Sequence, residues 1–210
     1  MAKNFESIDW INLTAVQPAV ALLPIPLRLI AKQIVASAGE TLFRIGDPIR
    51  FVYLVISGET RLIRRDRNGG EVILQRSQGG YIAEASLDAL AYHCDAIVTS
   101  TTTLLLFPIE EFKSALDSEP NFRKAWQSRL AQELRKLRAQ CERLSLHSAT
   151  DRITHYIESE GVNGVVTLTH SRKSWAAELG LTHEALYRAL RRMQDCNMLE
   201  IEGRQFINKS

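Results

Sequence analysis

Cysteine is scarce in this 210-residue chain, and its three cysteines suit neither a metal site nor a disulfide framework. Cys94, Cys141 and Cys196 lie far apart and form no CxxC pair. The chain also lacks an apolar run of about 18 residues, which excludes a transmembrane helix, and its start has no apolar signal-peptide core. These absences predict a cytoplasmic protein with no metal site and no membrane contact.

A large excess of charge of one sign is absent as well. The net charge is +2, with 24% charged and 45% hydrophobic residues, an ordinary balance for a globular protein. This balance excludes a strongly cationic nucleic-acid coat protein, but it allows a DNA-binding protein whose basic residues are local.

The segment 171–192 predicts two short helices joined by a tight turn. Ser171 and Thr182 are suited to cap the two helix starts, and Gly180 is suited to end the first helix in a left-handed conformation. This arrangement matches the helix-turn-helix, whose second helix can enter the major groove of DNA. An αα-hairpin in a helical core is the alternative. The predicted apolar faces consist of Trp175, Ala176, Leu179, Leu186, Ala189, Leu190 and Met193.

A β-hairpin is predicted directly after these two helices. Asn197 is expected to end the second helix, and residues 198–207 form two strand patterns that turn at Gly203. A hairpin in this place is a wing, and it favours DNA binding over a plain helical hairpin. Another helix, at 151–158, begins this last region of the chain.

Residues 37–107 alternate short apolar runs with turn signals, which is typical of a β-sandwich or β-barrel. Asn68-Gly69 lies between two of these runs and predicts a hairpin. Two short helical patterns, separated at Pro18 and at the Pro24-Ile25-Pro26 break, occupy residues 8–33 before this region, and a short helix is predicted after it at 109–117. The fold class is therefore α+β.

Histidine is too rare in the β-rich region for the metal site of a cupin-like enzyme. Such a site needs at least two histidines with a carboxylate, and His93 alone lies there. We therefore predict that the chain is not an enzyme and has no catalytic residues. The other histidines are His147, His155, His170 and His183.

A long helix is predicted from Pro120 to Ser148, and its basic residues, Arg143 among them, lie off its apolar positions. A narrow apolar seam favours pairing with a second copy of the chain, whereas a helix buried in one domain has a broader apolar face. Packing of the seam on the β-rich region alone is the alternative. The seam follows spacings of four and three residues and consists of Leu130, Leu134, Leu137, Cys141 and Leu144.

Four local strings in this order of elements resemble the Crp/Fnr family of bacterial transcription regulators: GETLFRIGDP at 39–48, YLVISG at 53–58, AEASL at 83–87 and LGLTHEALYR at 179–188. The resemblance covers nearly the whole chain. It implies three parts: a β-roll sensor domain of jelly-roll, cyclic-nucleotide-binding type at 1–119, a dimerisation helix at 120–148 and a winged helix-turn-helix domain at 149–210. It also implies double-stranded DNA, a second copy of the chain and RNA polymerase as partners.

The resemblance assigns roles to residues of the second helix. Family members read a G·C pair with a Glu and an Arg four residues apart, and Glu184 and Arg188 match them; a Glu can accept from cytosine N4 and an Arg can donate to guanine O6 and N7. A surface ion pair between the two is the alternative. His183 and Tyr187 match positions that vary and that concern the outer bases. Phosphate contacts are implied for Ser171, Arg172 and Thr182.

The resemblance also places an effector pocket in the β-roll. Cyclic-AMP binders hold the phosphate with an Arg-Ser pair about ten residues beyond a cassette Glu. Here the stretch Tyr92-His93-Cys94-Asp95 lacks the Arg and contains an Asp, and Leu137 stands where a hydroxyl for the adenine is expected. Cyclic AMP is therefore disfavoured. The matched cassette consists of Ala83 in place of the usual Gly, Glu84, Ala85, Ser86 and Leu87.

The same comparison of residues limits which other effectors or cofactors the β-roll could use. The iron–sulfur branch of the family needs cysteines near the N-terminus, and no cysteine precedes Cys94, so that cluster is excluded. Haem is the alternative cofactor, with His93 or Cys94 as an axial ligand. A redox switch at Cys94 is disfavoured because Asp95 would raise the pKa of its thiol. A regulator that binds no small molecule is a further option, and the predicted wing disfavours a cyclic-nucleotide-gated subunit.

Overall fold

Two four-stranded antiparallel sheets make up the β-rich region. A computed structural model describes residues 8–65, 71–169 and 171–209 and divides into two compact units between Gln127 and Ser128. The first unit holds the strands β1 Lys32–Ala36, β2 Thr41–Phe43, β3 Phe51–Ser57, β4 Thr60–Arg65, β5 Glu71–Ser77, β6 Gly80–Ile82, β7 Asp95–Val98 and β8 Thr102–Pro108. They pair in the orders β1-β8-β3-β6 and β2-β7-β4-β5.

Strand β3 is buried on both faces, which explains its continuous apolar sequence. Val52 and Leu54 pack into a core cluster with helices of the first unit, whereas Tyr53 and Val55 pack with side chains of the other sheet. Because successive side chains of a strand point to opposite faces, this sheet has helices on one side and the second sheet on the other. This arrangement confirms the predicted α+β jelly-roll fold.

The predicted hairpin turn at Asn68-Gly69 lies outside the described residues. Its two arms are described: β4 and β5 pair antiparallel, with Thr60 opposite Ser77 and Arg65 opposite Glu71. The two apolar runs therefore form neighbouring strands, as the sequence predicts.

Helices precede and follow the sheets, and their bounds differ from the predicted ones in three places. Three helices form before the sheets where two were predicted, because Pro18 begins a helix; a proline in the first turn loses no hydrogen bond. The helices are α1 Trp10–Val16, α2 Pro18–Ala21, α3 Ile25–Ile30, α4 Ile109–Ser118, α5 Pro120–Ser145, α6 Ala149–Glu160, α7 Arg172–Glu178 and α8 His183–Asp195.

The long helix α5 ends at Ser145, three residues before its predicted end. The reason is Ser148, whose Oγ accepts the backbone N–H of Asp151 at 3.0 Å and so caps the next helix. Helix α6 is correspondingly longer than the predicted 151–158. No helix within the described ranges is long and apolar enough to cross a membrane.

The second unit is built around Trp175, whose side chain is fully buried. The rings of Tyr156 and Phe206 lie 5.4 and 4.7 Å from it, between centroids. A three-stranded antiparallel sheet of order β10-β11-β9 completes the unit. Its strands are β9 Val165–Thr167, β10 Leu199–Glu202 and β11 Gln205–Asn208.

Candidate DNA interface and sensor segment

The turn between α7 and α8 has the geometry predicted for it. Gly180 is left-handed, with φ at +63°, and its N–H donates to Ala177 O at 3.1 Å. The N–H of Leu181 donates to Ala176 O at 2.8 Å, so the two bonds form a Schellman motif that ends α7. A Cβ at Gly180 would lie 2.7 Å from Leu144 Cδ2, so the Leu144 side chain would have to shift to admit any other residue.

Helix α8 is held at both ends and along one side. The Oγ1 of Thr182 accepts the N–H of Ala185 at 3.1 Å, which confirms the predicted cap, and Ser171 caps α7 through Ser174 N in the same way. At the other end Asn197 is left-handed, as a residue that stops a helix often is. The predicted apolar side is buried: Leu186, Ala189, Leu190 and Met193.

The opposite side of α8 is exposed, and it carries Glu184 and Arg188 one turn apart. Among the described residues these two side chains form no ion pair with each other. The alternative of a surface pair is therefore not favoured. Glu184 lies in the first turn, where the helix dipole favours a carboxylate.

An aromatic and cationic stack forms beside these two residues. The rings of His183 and Tyr187 have centroids 4.6 Å apart, and the Arg172 guanidinium lies 5.6 Å from the Tyr187 ring. The same guanidinium is 5.5 Å from the ring of Phe206 on β11. Arg172 thus joins the start of α7, the exposed side of α8 and the wing strand.

The wing forms where the sequence predicts it, with one strand more. Strands β10 and β11 pair from Leu199 opposite Asn208 to Glu202 opposite Gln205 around a left-handed Gly203. Strand β9, which was not predicted, adds to β11. It has only three residues, too few for a pattern of alternation to identify it.

Residues 83–95, where the effector pocket is predicted and which we name the sensor segment, bring Ser86 and His93 together. Ala83 is left-handed, with φ at +72°, which is the conformation expected of the glycine it replaces, and a 3₁₀ turn Glu84–Ser86 follows it. Ser86 Oγ and His93 Nδ1 form a hydrogen bond of 3.0 Å. Gln75 Nε2 donates to Glu84 Oε1 at 3.5 Å.

Cys94 is buried in the β-roll, and Asp95 forms a hydrogen bond within it. Cys94 is 2% exposed, and its burial, more than the nearby carboxylates of Asp95 and Glu84, raises the pKa of its thiol against the opposing charge of Arg64. Asp95 Oδ1 accepts the N–H of Ile45 at 2.7 Å. The predicted direction of the Cys94 shift is confirmed, although burial is its main cause.

The predicted pocket residues do not all lie in one unit. The cassette and the stretch 92–95 belong to the first unit, whereas Leu137 lies on the part of α5 that belongs to the second. Within the part of the chain that the structure describes, no group of three His, Cys, Asp or Glu residues could hold a metal ion.

The predicted seam residues of α5 are partly exposed within the described protomer. Cys141 is exposed, and the leucines Leu130, Leu134, Leu137 and Leu144 are 38, 49, 53 and 44% exposed. Arg143 differs from the expectation for a basic residue off the seam, because it is only 1% exposed. Its partner Glu160 lies 17 residues away, so no local signal in the sequence could have identified its burial.

The described elements form a jelly-roll domain, a long helix with an apolar seam and a winged helix-turn-helix. A family model described as a cyclic nucleotide-binding domain matches residues 33–119. The curated protein FnrA of Stutzerimonas stutzeri, a transcriptional activator, is 27% identical over 176 residues, which are 80% of this chain and 72% of that protein. The transcriptional activator Anr of Pseudomonas aeruginosa is 25% identical over the same shares.

A solved structure shares the fold. The structure of FixK2 from Bradyrhizobium japonicum covers 86% of this chain and 93% of its own, with a TM-score of 0.64 at 21% identity. The chain is thus similar in sequence to two transcriptional activators and in fold to FixK2.

Proposed function

We propose that the chain is a dimeric transcription regulator that binds a two-fold DNA site through α8. The observation that carries this proposal is the exposed pair Glu184 and Arg188 on a helix that is capped at its start and buried along its other side. Both curated relatives are named transcriptional activators, which supports the same function.

Each exposed residue of the helix-turn-helix has a distinct role in this proposal. Glu184 accepts from cytosine N4, and Arg188 donates to guanine O6 and N7 in the major groove. His183 and Tyr187, held ring to ring, contact the neighbouring base pairs. The DNA phosphates are contacted by Ser171, Arg172 and Thr182. The hydroxyls of Ser171 and Thr182 can do so because a capping hydroxyl that accepts a backbone N–H still has a proton to donate.

Dimerisation follows from the exposed seam. Four leucines and Cys141 on one side of α5 leave apolar surface in water unless a second copy covers it. A two-fold dimer would present two copies of α8, which must lie about 34–36 Å apart to enter successive major grooves. An event in the β-roll would act by shifting the population of dimers with that separation. RNA polymerase is then the partner that responds to the bound dimer.

Selection from random duplex DNA tests the proposal, because the target site is a two-fold sequence containing a G·C pair in each half. Arg188→Ala should weaken binding to the selected site by about 1–3 kcal/mol and relax discrimination at that one base pair. The matched control is Arg135→Ala, an exposed arginine of α5, which should leave base discrimination unchanged. If Arg188→Ala weakened binding to the selected site and to random DNA equally, Arg188 would read no base.

The sensor segment does not fit a cyclic nucleotide. Where cyclic-AMP binders hold the phosphate with an Arg-Ser pair, this chain has a buried Cys94 and an Asp95 whose carboxylate is bonded to the backbone of Ile45. The stretch itself carries no arginine; Arg64 of β4 donates to His93 O at 2.8 Å, but the Asp95 carboxylate in the same place opposes an anion. We therefore propose a regulator whose β-roll does not respond to cyclic nucleotides.

Millimolar cyclic AMP should leave the melting temperature of the protein unchanged, since a ligand that binds only the folded state raises that temperature. Differential scanning fluorimetry with cyclic AMP and cyclic GMP in parallel checks this expectation. A rise of several degrees with either nucleotide would contradict it.

The haem alternative is weakened by the same segment. A thiolate ligand from Cys94 would need a low pKa and access, whereas its thiol is buried and its pKa is raised. His93 already bonds Ser86 through Nδ1, so only Nε2 is left for a metal. A Soret band in protein purified from its own host would restore the alternative.

A further inference from the structure

Arg143, in the last turn of α5, is almost completely buried against α6. Its side chain is 1% exposed, and Nη2 donates to Ser159 Oγ at 3.1 Å and to Glu160 Oε1 at 3.3 Å. Its guanidinium lies 4.6 Å from the centroid of the Tyr156 ring. All three partners belong to α6, so this side chain joins the end of α5 to the next helix.

Arg152 of α6 makes the connection in the opposite direction. Its guanidinium donates to the carbonyls of Leu144 and Leu146, at 3.3 and 2.9 Å, at the end of α5. It also donates to the carbonyls of Leu179 and Gly180, both at 3.1 Å, in the turn before α8. Carbonyls at helix ends lack partners within their own helix, and Arg152 supplies these partners for two helices at once.

The turn before α8 lies directly against the last residue of the seam. A Cβ at Gly180 would come within 2.7 Å of Leu144 Cδ2 and 3.1 Å of Arg152 Nη1. Leu144 therefore belongs to the seam and also contacts the helix-turn-helix. Residues 146–148 are the chain segment between α5 and α6, and the carboxylate of Glu142 on α5 also lies 3.3 Å from Nε2 of His155 on α6.

We propose that Arg143 and Arg152, which we name the arginine clasp, are positioning residues for DNA recognition. The clasp fixes the angle at which α5 enters the DNA-binding unit. In a dimer joined along the α5 seam, that angle determines the separation of the two α8 helices and hence the spacing of half-sites that the protein accepts. The inference rests on the proposed dimeric DNA-binding function.

The chemistry of the clasp suits positioning better than simple stabilisation. A buried ion pair contributes little net stability compared with apolar packing of the same volume, but it defines a single geometry. A planar guanidinium that bonds several fixed acceptors defines that geometry more strictly than a lysine would. Arg143 meets the first condition through its buried ion pair with Glu160, and Arg152 meets the second because its guanidinium bonds four backbone carbonyls.

The separation of the α8 helices can be measured without DNA. Cys196, which directly follows α8, is exposed, so a spin label there reports the distance between the two copies by double electron–electron resonance. Cys141→Ala removes the second exposed thiol, and Cys94 is too buried to react. The variants are Arg143→Met and Arg152→Lys, with Arg135→Met, at an exposed position of α5, as the control.

The parent protein is the Cys141→Ala protein labelled at Cys196. It and its Arg135→Met variant should each give one narrow distribution of the distance between the two labels. Each clasp variant should broaden that distribution at least twofold while the dimer persists. Unchanged position and width in both clasp variants would overturn the proposal. If Arg143→Met does not fold, Glu160→Gln, which keeps an acceptor but removes the charge of its partner, takes its place with the same expected broadening.

A second measurement connects the clasp with DNA spacing. The site selected by the wild-type protein is compared with the same half-sites one base pair closer or farther, a shift of about 3.4 Å along the helix axis. We expect the clasp variants to lose about tenfold of the preference for the selected spacing, with affinity for a single half-site unchanged within twofold. Weaker half-site binding with an unchanged spacing preference would overturn the inference. Wild-type protein that selects no two-fold site would instead refute the proposed function itself.

Discussion

Gly180 satisfies three requirements of the second unit at one position. It is left-handed, it ends α7 in a Schellman motif, and it allows Leu144 and Arg152 to approach the turn. Gly203 in the wing shares only the first requirement, because a Cβ there would meet nothing within 4 Å. The two glycines therefore separate the cost of backbone strain from the cost of close packing.

Gly203→Ala should lower the free energy of unfolding by about 1–2 kcal/mol, the cost of a left-handed alanine. Gly180→Ala should cost about 1 kcal/mol more, because Leu144 must also move. Urea unfolding of both variants measures the difference. Equal losses would mean that Leu144 gives way freely.

Single residues were predictable from sequence where their partners are close in the chain. The caps at Ser171 and Thr182 bond backbone groups three residues away, so residue type and position sufficed to find them. Arg143 was not predictable, since its ion-pair partner lies on another helix. The physical difference is the range of the interaction along the chain.

At the level of elements, Glu59 connects three turns of the β-roll. Its carboxylate accepts Arg61 Nε at 3.1 Å, Gln78 Nε2 at 3.0 Å and Thr99 Oγ1 at 2.8 Å. Burial acts to raise the pKa of Glu59, but the bonds from Gln78, Thr99 and Arg61 outweigh it and hold the pKa below its ordinary value. The ionised form is therefore favoured by the folded state.

Because that pKa is lowered on folding, the stabilisation is present above the ordinary Glu pKa of about 4.3 and is lost as the pH falls from there through the lower pKa of the folded state. Glu59→Gln should reduce the free energy of unfolding at pH 7 by about 1–2 kcal/mol, with a smaller difference in acid. Chemical denaturation at several pH values measures this.

The matched control is Glu71→Gln, whose half-exposed carboxylate lies 3.9 Å from Arg65. Its effect should stay below about 0.5 kcal/mol. A pH-independent loss for Glu59→Gln would show that the charge of Glu59 is not what stabilises the turns.

At the scale of the whole molecule, the seam of α5 predicts how two copies meet. In a two-fold coiled coil, equivalent seam residues face each other, so Cys141 of each copy lies within reach of a disulfide. The two Cys196 residues, each following an α8 helix, lie too far apart in a dimer matched to DNA.

Mild oxidation should therefore produce a covalent dimer on non-reducing gels. Cys141→Ser should abolish that dimer, and Cys196→Ser should leave it intact. A cross-link that depends on Cys196 instead, or a protein that stays monomeric in analytical ultracentrifugation, would contradict pairing along the seam.

The sequence by itself determined the elements whose signals are local: the apolar runs of the sheets, the seam, the caps and the left-handed stops at Gly180 and Asn197. It also carried the family resemblance, because each of the four strings on which that resemblance rests is contiguous. Only the tertiary structure decided the burial of Arg143, the four carbonyls that Arg152 bonds and the joining of Ser86 to His93. These contacts join residues of different elements, and periodicity in a sequence records which side of an element is buried but not what buries it.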